Sequence, residues 1–398
     1  MSLRQKSQAE AVFLPGTYDE GRVIQVAREL RAKTGGKASL ALVYLSPDWE
    51  PYRNEVVELV QIYGHVQHVV GCSAGGMIAN GQEFEEGSGM ALTLLNLPNT
   101  RVTVTSLHSD DLKYLDSPQL WRENTGIAPK DAAGWLILGH PNHFPYEEWL
   151  SEWNAAYPGS PCFGGMASGG SGEDDFFLMR SGPDKESPDA LLIGFSGGIW
   201  MEGVVSQGCR PIGEPATITE AQDNLIFRLA TKPAYDVLQE TFRSLPREQR
   251  EVAQGNILAG FALAEHVEDY KAGDFLVSHI LGGDPTAGIL QVSGNARVGQ
   301  MFQFQLRDRE SADVELRALL SRTRRRLRRK PFTSLLFSCM GRGKQLFGTP
   351  DHDASAIREA FGDKLPIHGF FSNGEIGSVG EKTFLHGYSA AATFLFDL

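Results

Sequence analysis

A glycine-rich motif occurs three times in this chain, each time directly after a short apolar run that is typical of a buried strand. The copies are Gly71-Cys72-Ser73-Ala74-Gly75-Gly76, Gly165-Met166-Ala167-Ser168-Gly169-Gly170 and Gly369-Phe370-Phe371-Ser372-Asn373-Gly374. All three fit the pattern G-x-x-[A/S]-[G/N]-G. Because glycine permits turns and close backbone approaches that a Cβ would block, the pattern predicts similar backbone geometry at three positions.

The first two copies belong to longer segments that match at one offset. Pro47 and Pro141 are 94 residues apart, and the same offset relates the first two glycine clusters. Matching prolines and glycines fix local backbone geometry, so we interpret them as a tandem duplication. A third copy lies near the C-terminus, with its cluster 298 residues after the first. The predicted first strands are Leu40–Leu45, Leu136–Gly139 and Ser334–Ser338, and the predicted helices are Asn54–Tyr63, Tyr146–Ala156 and Ala354–Phe361.

Between the second and third copies the pattern changes to alternating strands. The predicted strands are Ile257–Leu263, Phe275–Leu281, Gly288–Val292 and Met301–Leu306, separated by turn signals. We therefore expect an α/β to α+β fold with mixed sheets, built from repeated β-α-β-turn-β units with an antiparallel strand insertion in the C-terminal half. The predicted division is a tail at 1–19, an N-terminal domain at 20–210 and a C-terminal domain at 211–398.

Charge and cysteine content exclude several classes of protein. Lys and Arg total 37 and Asp and Glu total 49, which gives a net charge of −12 and argues against a general nucleic-acid or membrane-surface binder. The four cysteines form no C-x-x-C pair, so a disulfide scaffold or a structural zinc site is not expected. The N-terminus lacks a secretory apolar segment, and no apolar run has the roughly 20 residues of a membrane helix. These features favour a cytoplasmic location.

Several motifs, taken in order, resemble the FIST domain family in both its N-terminal and C-terminal halves. They are the first glycine cluster, Val298-Gly299-Gln300, Gln305-Leu306-Arg307-Asp308, Ser338-Cys339 with Gly341-Arg342-Gly343, and the third cluster continued by Glu375-Ile376-Gly377. The resemblance covers the chain from about residue 20 to its end. It implies a sensory module of signal transduction that binds a small ligand, with amino acids among the proposed ligands. No kinase, cyclase, receiver or F-box segment is left over, so we expect either a standalone sensor without its own output domain or a sensor whose output is a separate signalling partner.

Arg342 and Glu375 are the strongest candidates for binding a ligand. Each is predicted to follow the C-terminal end of a strand in the same unit, where α/β sheets open their crevices. A guanidinium matches a carboxylate bidentately, and Glu375 is suited to accept from an ammonium group. The pair, with Asn373 beside it, is a candidate clamp for a small anionic or zwitterionic molecule. The alternative is that Arg342 and Glu375 bind each other and hold two loops together.

Three further residues, Cys339, Ser73 and Gly76, complete the predicted ligand-binding set. The segment from Gly71 to Gly75 also fits G-x-S-x-G, the nucleophile turn of serine hydrolases, so a hydrolase or transferase is the alternative function. That turn requires a helix directly after the serine, whereas Asn80-Gly81 is a hairpin signal. We therefore favour a binding protein over an enzyme, expect no cofactor, and expect Cys72 to be a buried, unreactive thiol.

Two other motifs have ordinary structural explanations. His140 and His143 lie in one loop after a strand, but zinc would need further ligands that the sequence does not reveal, and no metal is expected. Seven of the nine residues from Arg322 to Lys330 are basic, which indicates either a site for RNA or an acidic partner, or the solvated end of a helix that begins after Asp308.

Overall fold

The structure is a computed structural model that describes residues 5–170, 172, 175–182, 186–263, 270 and 273–398. Its helices are α1 (Glu20–Lys33), α2 (Arg53–Gly64), α3 (Pro118–Thr125), α4 (Tyr146–Ala156), α5 (Ala234–Ser244), α6 (Arg247–Ala253), α7 (Arg309–Arg326), α8 (Gly343–Phe347) and α9 (His352–Phe361). Short 3₁₀ helices span Pro47–Tyr52, Ser109–Tyr114 and Pro129–Asp131. Within the described ranges, no helix combines the length and hydrophobicity needed to cross a bilayer.

Among the described residues, the strands occur singly and in longer runs between these helices. They are β1 (Gln8–Pro15), β2 (Ala38–Leu45), β3 (Val66–Ser73), β4 (Gly76–Ala79), β5 (Gln82–Phe84), β6 (Gly89–Asn96), β7 (Thr100–Leu107), β8 (Ala132–Gly139), β9 (Cys162–Met166), β10 (Leu178–Arg180), β11 (Ala190–Gly197), β12 (Ile199–Ser206), β13 (Cys209–Pro211), β14 (Ala216–Gln222), β15 (Leu225–Leu229), β16 (Lys232–Pro233), β17 (Ile257–Ala262), β18 (Phe275–Ser278), β19 (Ile280–Asp284), β20 (Ile289–Val292), β21 (Met301–Arg307), β22 (Thr333–Cys339), β23 (Ile367–Ser372), β24 (Glu375–Val379), β25 (Lys382–His386) and β26 (Ala390–Asp397). The fold is mixed α/β, as the sequence predicts.

The chain divides into two compact units, residues 1–205 with 319–398 and residues 206–318. The last 80 residues thus group with the N-terminal unit, because β22, β23 and β26 share a sheet with β4, β5 and β12. The sequence places the same residues in a C-terminal domain at 211–398, and that division stays a prediction. The second unit contains one nine-stranded sheet in the order β18-β17-β21-β14-β15-β20-β19, with β13 on β21 and β16 on β15.

Three sheets build the first unit, and each has one parallel strand pair at its centre. Their strand orders are β1-β6-β2-β3-β10, β25-β24-β9-β8-β11-β7 and β12-β26-β22-β23-β4-β5. The parallel pairs are β2 with β3, β8 with β9, and β22 with β23. One apolar cluster takes side chains from all three sheets, among them Leu40, Leu136 and Leu335. The molecule's first unit is therefore held together by a core common to its three sheets.

After each glycine cluster, the chain leaves its own sheet and extends another one. The hairpin β4–β5 pairs with β23, β10 pairs with β3, and the hairpin β24–β25 pairs with β9. The exchange is cyclic, since each sheet both gives and receives an edge. We call this arrangement the strand exchange.

The glycine clusters make the parallel pairs possible. A Cβ at Gly71, Gly164 or Gly369 would overlap the carbonyl oxygen of Val43, Ile137 or Leu336 on the neighbouring strand. Gly164 is thus the structural equivalent of Gly71, whereas the constant sequence offset selects Gly165. The offset is 94 between Val43 and Ile137 but 93 between Gly71 and Gly164, because one residue is lost between the two strands.

Two local predictions are confirmed. Asn80 and Gly81 form the two-residue turn of the β4–β5 hairpin with φ of 51° and 74°. Asp308 accepts a hydrogen bond from Ser311 N (2.7 Å) at the start of α7, and the last turn of that helix contains Arg324, Arg325 and Arg326. Six of the seven basic residues from Arg322 to Lys330 are exposed, which agrees with a solvated helix end.

Candidate functional site

The three glycine clusters meet inside the first unit, and Ser168 connects them. Its hydroxyl accepts from Gly75 N (3.0 Å) in the first cluster and donates to the carbonyl oxygen of Phe371 in the third. Its own amide donates to the carbonyl oxygen of Ser73 (3.0 Å). A Cβ at Gly75 would lie 2.8 Å from the Cα of Gly169, so only glycine permits this contact. Ser168 is fully buried, and it is not among the site residues predicted from the sequence.

Beside this junction lies a cavity of about 430 Å³, which we call the acidic cleft. It is lined by Gly76, Glu85, Glu86, Met340, Lys344, Gln345 and Phe371. Gly76 on β4 and Phe371 on β23 are paired in the sheet, so the floor of the cleft is formed by the strand exchange. Glu86, Lys344 and Gln345 are exposed at its mouth. Opposite charges therefore lie on one concave surface.

Glu85 connects β5 to the short helix α8. Both carboxylate oxygens accept from Lys344 N, at 2.9 and 2.8 Å. Partial burial raises the pKa of Glu85, and the Lys344 amide and ammonium oppose that change. Gly343 has φ of 60°, and a Cβ there would collide with this carboxylate. The glycine therefore lets Glu85 approach the first turn of α8, which contains Lys344.

Glu83 lies on β5, two residues before Glu85. Its Oε1 accepts from Ala354 N (2.9 Å) in the first turn of α9. The side chain is 8% exposed, and Oε2 has no hydrogen-bond partner among the described residues. Burial, followed by the negative charge of Asp353, raises the pKa of Glu83 to about 8. Near neutral pH this carboxyl group is therefore largely protonated.

Arg342 is fully buried and bound by Asp353 of α9. Its Nε and Nη2 donate to the two carboxylate oxygens at 2.8 and 2.9 Å, and the guanidinium carbon lies 5.2 Å from the centre of the Phe347 ring. Ser338 Oγ also donates to Asp353 (2.8 Å). Burial by itself would raise the pKa of Asp353, but the charge and hydrogen bonds of Arg342 hold that pKa well below its usual range.

Glu375 is also fully buried, among serine donors. Oε1 accepts from Ser372 Oγ (2.7 Å), and Oε2 accepts from the amide and hydroxyl of Ser389 (3.0 and 2.9 Å). Burial raises the pKa of Glu375 to about 7, although the serines and the charge of Arg342 favour the ionised form. Both members of the predicted clamp thus have partners within the protein, and neither side chain is accessible to solvent.

The other predicted ligand-binding residues have different positions. Gly76 lines the acidic cleft. Asn373 is exposed, and its backbone N–H donates to Met166 O (3.2 Å). Cys339 is 9% exposed, and its sulfur accepts from Gly341 N (3.5 Å). Ser73 is fully buried, and its hydroxyl accepts from Phe177 N (3.3 Å). Cys72 is buried, as predicted, and burial raises its thiol pKa.

The charged residues of the acidic cleft were missed by the sequence analysis. Glu85 and Glu86 follow the hairpin signal at Asn80-Gly81, but nothing local indicates that this hairpin joins the sheet of the third repeat. Lys344 directly follows the selected Gly341-Arg342-Gly343 segment, and this adjacency was the available signal.

The histidine loop forms a pair of stacked rings. His140 and His143 have ring centres 3.7 Å apart and nearly parallel planes, and His143 Nδ1 lies 3.6 Å from Asp189 Oδ1. Across the part of the chain that the structure describes, no cluster of three or more His, Cys, Asp or Glu side chains is arranged to hold a metal ion.

Comparison with known proteins identifies the family. The FIST N domain matches residues 39–232, and the FIST C domain matches residues 234–378. The chain belongs to the FIST family. The two matches confirm the expected resemblance for both halves of the chain. FIST domains are sensory domains of signal transduction. The junction between the two FIST matches lies later in the chain than the predicted boundary at residue 211.

Relatives of this FIST protein extend over nearly its whole length. An uncharacterized protein of Mycobacterium tuberculosis is 32% identical over 364 residues, which cover 91% of this chain and 92% of that protein. An uncharacterized protein of Mycobacterium bovis is 31% identical over 379 residues, 94% and 95% of the two chains. Among solved structures, a cyanuric acid hydrolase from A. caulinodans aligns over 98% of this chain and 99% of its own with 7% identity and a TM-score of 0.33. A TM-score this low bears on neither fold nor function.

Proposed function

We propose that this FIST protein binds a small zwitterionic molecule, such as a free amino acid, in the acidic cleft, and that this binding is its sensory input. The observation that carries the proposal is the pairing of carboxylate and ammonium groups on one concave surface of about 430 Å³. Cavities of this size accommodate small molecules, and a few polar groups usually orient the ligand within them.

The lining suggests how such a ligand is oriented. Glu86 is suited to the ligand's ammonium group and Lys344 to its carboxylate, since both side chains are exposed at the mouth. Met340 and Phe371 provide apolar contact for a side chain. Glu85 already accepts from the Lys344 backbone amide, so we assign it to positioning the start of α8 rather than to the ligand.

Arg342 and Glu375 have a supporting role in this proposal. The bidentate bond to Asp353 occupies one edge of the Arg342 guanidinium, and the Glu375 oxygens are engaged by Ser372 and Ser389. We infer that Arg342 holds the segment from the end of β22 to the start of α8, on which Met340 and Lys344 lie. A signalling partner and a cytoplasmic location complete the proposal.

The hydrolase alternative lacks support at its nucleophile. Ser73 has no exposed surface, and its hydroxyl faces a backbone amide. The chain after it forms the β4–β5 hairpin instead of the helix that a nucleophile turn requires.

A thermal-shift screen of the full chain against the free amino acids tests the proposal. A ligand present at 100 times its Kd is expected to stabilise the native state by about 2.7 kcal/mol. Lys344→Met and Glu86→Gln should each weaken that ligand roughly two- to fivefold, as expected for a partly solvated charge pair. Lys364→Met and Glu381→Gln, which alter exposed charges elsewhere in the same unit, serve as matched controls.

Two results would contradict this assignment. If no amino acid shifts the melting curve, the ligand class is wrong. If one does, but the cleft variants bind it as tightly as their controls, the ligand site lies elsewhere.

A further inference from the structure

The second unit contains a separate cavity of about 500 Å³ that is unrelated to the residues discussed so far. It lies between helix α5, the end of α6, and the strands β17 and β19. Its lining residues are Tyr235, Leu238, Gln239, Phe242, Arg243, Ala253, Gln254, Gly255, Ile257 and Ile280. We call it the α5 cavity.

The walls of the α5 cavity are aromatic and aliphatic. Tyr235, Leu238 and Phe242 are spaced three and four residues apart, so they lie on one face of α5. Ile257 and Ile280 face them from the two strands. All five side chains pack against the core of the second unit but remain partly exposed. The helix therefore covers the sheet without sealing the apolar surface beneath it.

The sheet has a gap at this position. Its strand order begins with β18-β17 and ends with β20-β19, so β17 and β19 are not hydrogen-bonded to each other. β18 pairs with β17 only at Ala259–Ala262, which leaves the Ile257 end of β17 beside the cavity. At the β19 side, a Cβ on Gly283 would lie 2.7 Å from the Tyr235 ring, so this glycine allows the ring to form one wall.

The polar side chains in the described lining of the α5 cavity are neutral or positively charged. Arg243 is the one ionic side chain among its described lining residues, and it is exposed at the rim. Its Nη2 donates to Gln239 Oε1 (2.9 Å), which uses one of the five N–H donors of the guanidinium. The same bond orients the Gln239 amide. Planar guanidinium and amide donors at the edge of an aromatic pocket suit a carboxylate attached to an aromatic ring.

We propose that the α5 cavity is a second ligand site, specific for small aromatic carboxylates. The ring lies between Tyr235, Leu238 and Phe242, and the carboxylate accepts from Arg243 and Gln239. This inference does not depend on the acidic cleft, because the two sites share no residue and prefer different ligands.

A ¹⁹F NMR titration of the full chain tests the site with two matched probes. The probes are 4-fluorophenylacetate and 4-fluorophenethylamine, which share the ring and differ in the sign of their charge. We expect the carboxylate to bind at least about fivefold more tightly than the amine. Arg243→Met should weaken the carboxylate about two- to fivefold and leave the melting temperature unchanged, because Arg243 is exposed.

Two variants serve as controls. Arg247→Met removes an exposed arginine of the same unit that does not line the cavity, and Lys344→Met alters the acidic cleft. Both should bind the carboxylate probe like the unmodified chain. The proposal is overturned if no binding of the carboxylate probe is detected at probe concentrations up to about 10 mM, which would mean a Kd weaker than that of most small fragments. It is equally overturned if the two probes bind alike, or if Lys344→Met weakens binding and Arg243→Met does not.

Discussion

Arg342 illustrates how a single buried charge depends on its partner. From the sequence, its partner was expected to be Glu375 or a ligand carboxylate, whereas in the structure Asp353 is bound to both Nε and Nη2. Asp353 lies in the first turn of α9, and the path of the preceding loop brings it to Arg342. That path has no local sequence signature, so the partner was not predictable, although the need for one was.

Removing either partner should destabilise the protein strongly. We expect Arg342→Met and Asp353→Asn to lower the free energy of unfolding by about 3–5 kcal/mol each, since each leaves a buried charge uncompensated. The double variant should lose less than the sum, because the two residues interact directly. Urea denaturation of the four proteins measures the coupling. Additive losses would mean that the two residues act independently. Weaker amino-acid binding by Arg342→Met at unchanged stability would instead favour Arg342 as part of a ligand clamp.

At the scale of elements, the parallel strand pairs depend on glycine at one position. Gly71, Gly164 and Gly369 each lie against a carbonyl oxygen of the neighbouring strand, and a side chain has no room there. The nearest atom at each position is a backbone carbonyl oxygen, so it cannot move aside as a flexible side chain would. This explains why the motif recurs, and it locates the constraint in strand pairing as well as in the turn that follows.

The effect of filling this space should be severe. Gly164→Ala should destabilise the protein by more than about 4 kcal/mol or prevent folding, because overlap with Ile137 O separates β8 from β9. Gly21→Ala is the matched control, since it lies in α1 of the same unit with only an ordinary contact to Asp19. That change should be neutral or stabilising by up to about 1 kcal/mol. Comparable melting temperatures for the two variants would refute the steric argument.

Most elements were predictable from local patterns. Helix α4 has the predicted bounds, β2 begins two residues earlier than predicted, and β22 is one residue longer at each end. These bounds were predictable because the pattern of apolar residues defines the helix and the strands alike. The partners of β4, β10 and β24 were not predictable. Each of these short strands pairs with a strand from another repeat, and a four-residue apolar segment such as Gly76–Ala79 does not specify its neighbour. The acidic cleft depends on that pairing, so it was missed with it.

At the scale of the whole molecule, two buried carboxyl groups link stability to pH. The pKa values of Glu83 and Glu375 are raised to about 8 and about 7, mainly by burial, from a reference of 4.5. Between pH 4.5 and 8 the native state therefore binds more protons than the unfolded state, so these groups make stability fall as pH rises. Asp353, whose pKa is lowered, acts in the opposite direction only at acidic pH.

Glu83→Gln should reduce this dependence. The amide oxygen can still accept from Ala354 N, and no proton has to be released at high pH. We expect the variant to gain stability relative to the unmodified chain as pH increases from 5 to 9, and to have a shallower slope. Urea denaturation at each pH measures both. Glu86→Gln, at an exposed position, is the control, and an unchanged slope for Glu83→Gln would contradict the role given to burial.

The strand exchange also determines when the protein can finish folding during its synthesis. The hairpin β4–β5 receives its partner strand β23 only after residue 372 has been made, which at 5–20 residues per second is about 15 to 60 s later. Until then its edge remains available to other chains. Nascent chains arrested before β22 should therefore be cleaved by protease near residues 76–84, whereas the finished chain resists. The chain is thus most vulnerable to aggregation while it is being translated, before residue 372 has been added.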